Sequence, residues 1–106
     1  MGKYGVVLTT FANEQQARPV IDELIRDGLV ACAQEISIKS HYIWRGELCH
    51  DDELLVLFKI RKELYPELEK ELLKLHPYET PEILLLDVED ASAAYLAWID
   101  EQSKKK

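Results

Sequence analysis

Residues 29–61 read LVACAQEISIKSHYIWRGELCHDDELLVLFKIR, and the reading of this stretch decides the fold. From Leu29 to Trp44 the residues alternate. Ile36, Ile38, Ser40, Tyr42 and Trp44 fall on one face, with Glu35, Ser37, Lys39 and His41 mostly on the other, which is the period of a strand. RGELCHDD (45–52) is the polar turn, with Gly46 as its flexible point, and ELLVLFKIR (53–61) returns as the second arm of a long hairpin.

Working outward, GVVLTTF (5–11) is a short, β-branched, apolar strand. Asn13 with Gln16 three residues on forms a capping-box pattern, followed by an apolar stripe of Ala17, Val20, Ile21 and Leu24 and a stop at Gly28. Pro19 conflicts with that helix and calls for a kink, a later start or a cost of about 3 kcal/mol. ELYPELEKELLKL (63–75) is a second helix with Leu64, Leu68, Leu72 and Leu75 as its stripe and Pro66 in its first turn. His76 precedes Pro77, so the helix ends there. EILLLDV (82–88) is a fourth strand. DASAAYLAWIDEQ (90–102) is a third helix, capped by Asp90 or Ser92, with Tyr95, Trp98 and Ile99 facing inward.

The order β-α-β-β-α-β-α predicts an α+β, ferredoxin-like subunit with an extra C-terminal helix, a single domain over 1–103 followed by a frayed lysine tail at 104–106. LLVLF (54–58) and ILLLDV (83–88) are apolar on both faces, as in strands buried on both sides. One chain of 106 residues has too few helices to cover both faces, which points to further copies of itself.

Twenty acidic against thirteen basic residues give a net charge of −7, with no cluster of Lys and Arg in the body, so nucleic acid is excluded as the main partner. No apolar run approaches the roughly 20 residues of a membrane span. The first strand begins almost at Met1, leaving no room for a signal peptide, and Cys32 and Cys49 have no framework spacing, so the expected location is the cytoplasm.

His41, His50 and His76 are far apart and form no recognised metal motif. Cys49 and His50 are adjacent ligand types for copper or zinc, but neighbours in a strand point to opposite faces, so a solvated hairpin tip is the simpler account. Cys32, among small apolar residues, reads as a small hydrophobe, and a nucleophilic Cys32–His76 pair lacks a recognisable triad. Without a G-x-S-x-G motif or a glycine-rich phosphate loop, an enzyme is the weaker reading. HPYETPEI (76–83) either lines a cleft with His76, Tyr78, Thr80 and the glutamates or stiffens a helix-to-strand junction with its two prolines; the residues leave both open.

HPYETPEI also resembles the signature of the CutA family, the divalent-cation tolerance proteins. The likeness extends through VVLTTFANEQQAR (6–18), LVACAQEI (29–36), YIWRGELCHDDELLVLFKIR (42–61) and AYLAWI (94–99), nearly the whole chain. The resemblance implies a ferredoxin-like subunit in a stable homotrimer, built like the nitrogen-regulatory PII signalling proteins, with clefts between subunits near HPYE. It places Cys32, Tyr42, Trp44, Lys59, His76, Tyr78 and Glu79 at the cleft. It also implies divalent-metal binding, copper foremost, and a part in the response to metal ions, with His76 as the leading ligand and Glu79 or a neighbouring subunit's residues completing the site. Family members with a proposed copper site carry a cysteine in the first strand and two histidines before Pro-Tyr; here those positions are Thr9, Leu75 and His76. The alternative is a signalling module whose cleft takes a small ligand or partner protein, with Lys59 and Arg61 meeting an anion between the walls of Tyr42, Trp44 and Tyr78.

Overall fold

In the computed structural model, which describes residues 2–105, the chain runs β1 (Tyr4–Phe11), α1 (Glu14–Arg26), β2 (Cys32–Trp44), β3 (Glu47–Arg61), a 3₁₀ turn (Lys62–Leu64), α2 (Tyr65–Leu75), β4 (Leu84–Asp87) and α3 (Ala93–Gln102). What the sequence suggested of Met1 and Lys106 lies outside the described residues. The strands form one antiparallel sheet in the order β2-β3-β1-β4. The α1 crossover from β1 to β2 passes over β3, and the α2 crossover from β3 to β4 passes over β1, so each helix spans a strand it is not connected to.

Strand alternation builds the core. Val7, Thr9 and Phe11 of β1 and Val56, Phe58 and Ile60 of β3 are buried on the face that α1 and α2 cover. Ala17, Val20, Ile21 and Leu24 of α1 meet Leu64, Leu68 and Leu72 there, the stripes expected from their spacing. Asn13 caps α1 by accepting from the Gln16 N–H at 3.0 Å, and the Gln16 side chain accepts from the Ala12 N–H at 3.2 Å. Pro66 lies in the first turn of α2 and is tolerated. Pro19 lies within α1 and α1 does not start later to avoid it. Both Pro19 and Gln15, whose carbonyl loses its partner, are on the solvent side, where water can replace the missing donor.

The hairpin differs from its sequence reading in its turn. Only Arg45 and Gly46 form it, with φ of 51° and 81°, and Trp44 already pairs with Glu47. Two positive φ angles match the right-handed twist of the flanking strands. Glu47–Asp52, expected in the turn, are therefore strand. Because β1 pairs with β3 only over Leu54–Arg61, residues 38–44 and 47–53 project as a two-stranded arm without a third strand. Its Ile43 and Leu48 are 63% and 66% exposed.

Only one end of the second face of the sheet is covered. Ser92 caps α3 by accepting from the Tyr95 N–H. The Tyr4 hydroxyl donates to Asp100 at 2.9–3.0 Å, and Arg61 lies 3.5 Å from the same carboxylate, fixing α3 over that end. Of the three residues expected to face inward, Ile99 is buried, while Tyr95 and Trp98 stack on each other and stay 39% and 38% exposed, with Tyr95 against Lys59 of β3, because the sheet offers α3 only one end to lie on. Ile36, Leu84 and Leu86 remain about half exposed. Lys104 is not a frayed tail: its N–H donates to the Gly28 carbonyl at 2.9 Å and its ammonium reaches Glu67 at 2.8 Å.

Pro19→Ala restores a helical N–H at an exposed position without touching the core. It is expected to raise stability by about 1–3 kcal/mol in denaturant unfolding at fixed protein concentration. No gain would show that the proline's restriction of the unfolded chain offsets the missing bond.

Candidate functional site

The junction between α2 and β4 is built on His76. Pro77 forces the residue before it out of helical angles, and His76 has a ψ of 134°. The ring turns inward, 7% exposed, and stacks on Phe11 at 4.4 Å between centroids. Its Nδ1 accepts from the Tyr78 N–H at 3.1 Å, which leaves Nε2 as the donor to the Thr10 carbonyl at 2.8 Å. Burial pushes His76 below the usual imidazole range, and the Thr10 bond only partly offsets it. The neutral ring thus ties the junction to β1.

That tie aims Tyr78 at the sheet. Its hydroxyl donates to Glu53 at 2.7 Å; burial first, then Glu53, pushes Tyr78 well above the ordinary phenol range. Tyr42 donates to Asp51, whose hydrogen bond raises Tyr42 to about 12. Arg45 reaches Glu79 at 2.7 Å and lies over the Trp44 ring. Between the arm and the junction is a cleft of about 780 Å³, walled by Tyr42, Trp44, Tyr78 and Glu79, with Asp51, Glu53 and Glu82 also facing it. Four carboxylates against one guanidinium give the cleft a net negative lining, which His41 of the arm also borders. Among the described residues no three of His, Cys, Asp and Glu gather as a group able to hold a metal ion, so the carboxylates line the cleft without converging.

Of the seven expected cleft residues, the chain by itself brings together Tyr42, Trp44, Tyr78 and Glu79, with His76 behind the wall. Cys32 and Lys59 pair with each other at the opposite end of the hairpin, about ten residues or roughly 33 Å along β2 from Tyr42. There Lys59 donates to Gln34 at 2.6 Å and lies over the Tyr95 ring. Arg61 pairs with Glu63 and Asp100, so neither cation of the anion-binding alternative faces this cleft. The Cys32–His76 pair is also absent: Cys32 is two strands across and four residues along from Thr10, where His76 binds. Both ring nitrogens of His76, the expected metal ligand, are engaged within the chain. Thr9 points into the helix-covered core, its hydroxyl without a hydrogen-bond partner among the described residues, and Leu75 packs against that core. Cys49 and His50 point to opposite faces, as strand alternation requires. Sequence reasoning missed Arg45, Asp51 and Glu53. Assigning 45–52 to a turn hid the alternation that sends Asp51 to the cleft. Arg45 reaches Glu79 from the turn itself, and Glu53, at the start of the expected strand, carries no signal that singles it out.

The CutA1 divalent ion tolerance protein family model matches residues 5–102. The divalent-cation tolerance protein CutA of Thermotoga maritima is 42% identical over 96 residues, covering 91% of this chain and 95% of that one. Among solved structures, CutA1 from Pyrococcus horikoshii superposes with a TM-score of 0.93 at 35% identity, covering 95% of this chain and 99% of that one. A structure from Archaeoglobus fulgidus, described as a periplasmic divalent cation tolerance protein CutA, gives 0.90 at 28% identity over 93% of this chain and 97% of that one. No described helix is long and apolar enough to cross a membrane. With nearly all its length matched by the family model and by close relatives, this chain belongs to the CutA1 divalent ion tolerance protein family.

Proposed function

We propose that this chain acts in divalent-cation tolerance as a homotrimer of ferredoxin-like subunits whose cleft takes a divalent cation, copper among them. The observation that carries the cation reading is the charge of the cleft: Asp51, Glu53, Glu79 and Glu82 face it with Arg45 as the one guanidinium. Carboxylate oxygens suit hard and borderline ions, with water completing the shell. Cys32 and Lys59 can join this cleft only from a neighbouring subunit. The exposed arm and the half-exposed Ile36, Leu84 and Leu86 support self-association, since an isolated two-stranded ribbon is marginal in water. The unpaired thiols of Cys32 and Cys49 support a reducing, cytoplasmic setting. A small organic cation is the second reading, favoured by the volume and aromatic walls of the cleft. His76 serves either reading by holding Tyr78 in place rather than by binding the ligand.

Calorimetric titration of the native protein with Mn²⁺, which prefers oxygen ligands, and with Cu²⁺ tests the cation reading. Saturable Mn²⁺ binding, in the micromolar range or weaker, should fall at least tenfold in the Glu53→Gln/Glu79→Gln double variant. Binding indifferent to that change overturns the cleft assignment. Absence of Mn²⁺ binding together with a thermal shift by organic cations favours the second reading. Sedimentation equilibrium should give three chains per particle, and a monomer at micromolar concentration would rule out the assembly.

His76→Ala should cost about 2–4 kcal/mol of stability by opening a cavity and leaving the Thr10 carbonyl and Tyr78 N–H without their partner. The pH dependence has a fixed sign. His76 in the folded chain lies below the free value of 6.5, so the unfolded state takes up its proton first as pH falls. The stability from the neutral ring is complete above that value and declines below it, down to the folded value. Denaturant unfolding at pH 8 and pH 5.5 should show this decline in the wild type and a shallower one in His76→Gln.

A further inference from the structure

We propose that His41 and His50 form a transition-metal site on the hairpin arm, binding a divalent ion of tetragonal preference through both Nδ1 atoms. His41 also borders the acidic cleft at the edge of the arm, but the site uses none of the cleft carboxylates and does not depend on the cleft reading. The register places the two residues directly opposite each other, His41 on β2 and His50 on β3. Alternation sends both to the face opposite Tyr42 and Cys49. Their Nδ1 atoms stand 2.7 Å apart, with ring centroids at 5.0 Å and planes at 70°. At that separation one ring donates its Nδ1 proton to the lone pair of the other.

The spacing discriminates among ions. Two nitrogens bound cis at about 2.0–2.1 Å on a tetragonal ion lie about 2.9 Å apart, whereas a tetrahedral ion separates them to about 3.4 Å. The observed 2.7 Å is close to the first arrangement. Within the chain both side chains are exposed, so the rings can pivot by the remaining few tenths of an ångström without disturbing its core. The donating ring then carries its proton on Nε2 instead of Nδ1, exchanged through water. Both lone pairs reach the ion with no net loss of protons from two neutral imidazoles. The preceding cross-strand pair on the same face is Lys39–Asp52, already bridged at 3.0 Å, and the following one is Ile43–Leu48. Because no third ligand type gathers there among the described residues, water fills the other positions. Borderline ions that accept imidazole in square-planar or tetragonal geometry, Ni²⁺ and Cu²⁺, fit this donor set.

The test is a Ni²⁺ titration by calorimetry on the intact, assembled protein. Four chains are compared: wild type, His41→Ala, His50→Ala and the Glu53→Gln/Glu79→Gln double variant. The wild type should bind about one Ni²⁺ per chain. Each histidine variant should lose at least tenfold in affinity, and the carboxylate variant should retain it, so failure here is separable from failure of the cleft reading. No wild-type binding, binding unchanged in both histidine variants, or a loss confined to the carboxylate variant would overturn the assignment. Electron paramagnetic resonance of the wild type with one equivalent of Cu²⁺ supplies a test that needs no variant. Nitrogen hyperfine structure from two imidazoles is expected, and an oxygen-only spectrum would overturn the site.

Discussion

The register of the β2–β3 ribbon governs the rest of this molecule, and the two-residue turn at Arg45–Gly46 sets it. Positive φ at both positions lets the strands leave the turn already twisted for pairing. Glycine adopts that angle freely, while arginine does so against its preference and is held by Glu79 and Trp44. From this turn the pairing runs without a bulge from Trp44–Glu47 to Cys32–Lys59. A slip of one residue would invert every side chain. Val56, Phe58 and Ile60 would leave the helix-covered core, and Tyr42, Asp51 and Glu53 would leave the cleft.

A second constraint acts where the chain returns from α2. The histidine that ends the helix is buried as a neutral ring, and its two nitrogens join the backbone of the junction to β1. The price of burying the imidazole is a lowered affinity for its proton; in return Tyr78 is presented to Glu53 across the cleft. Polar groups here work through one another. Tyrosine hydroxyls hold carboxylates in position while remaining protonated, so the cleft keeps its negative charge without leaving that charge mobile. The same segment therefore punctuates the fold and forms the wall of a site.

Much of the architecture was legible in the sequence because it depends on local periodicity. The stripes of α1 and α2, the Asn13 cap, the stop before Pro77 and the strand alternation all follow from residue spacing, and each appears in the fold. The reading failed where a polar composition imitated a loop. Residues 47–52 are hydrophilic because they belong to an exposed ribbon, not because they turn. At α3 it was met in part, since Ile99 is buried while Tyr95 and Trp98, at the margin of the covered end of the sheet, are covered only incompletely.

By itself the sequence determined the order of elements, the faces of the helices, the acidity of the body and, through its motifs, the family. Those properties are carried by neighbours a few residues apart, whose geometry the backbone fixes. Tertiary structure alone decided which side chains meet. It separated Cys32 and Lys59 from Tyr42 by the length of a strand, engaged both nitrogens of His76 with the backbone, and placed His50 against His41 rather than Cys49. The physical reason is that pairing between strands depends on register and crossover, and a shift of one residue, invisible in composition, exchanges the two faces of a sheet.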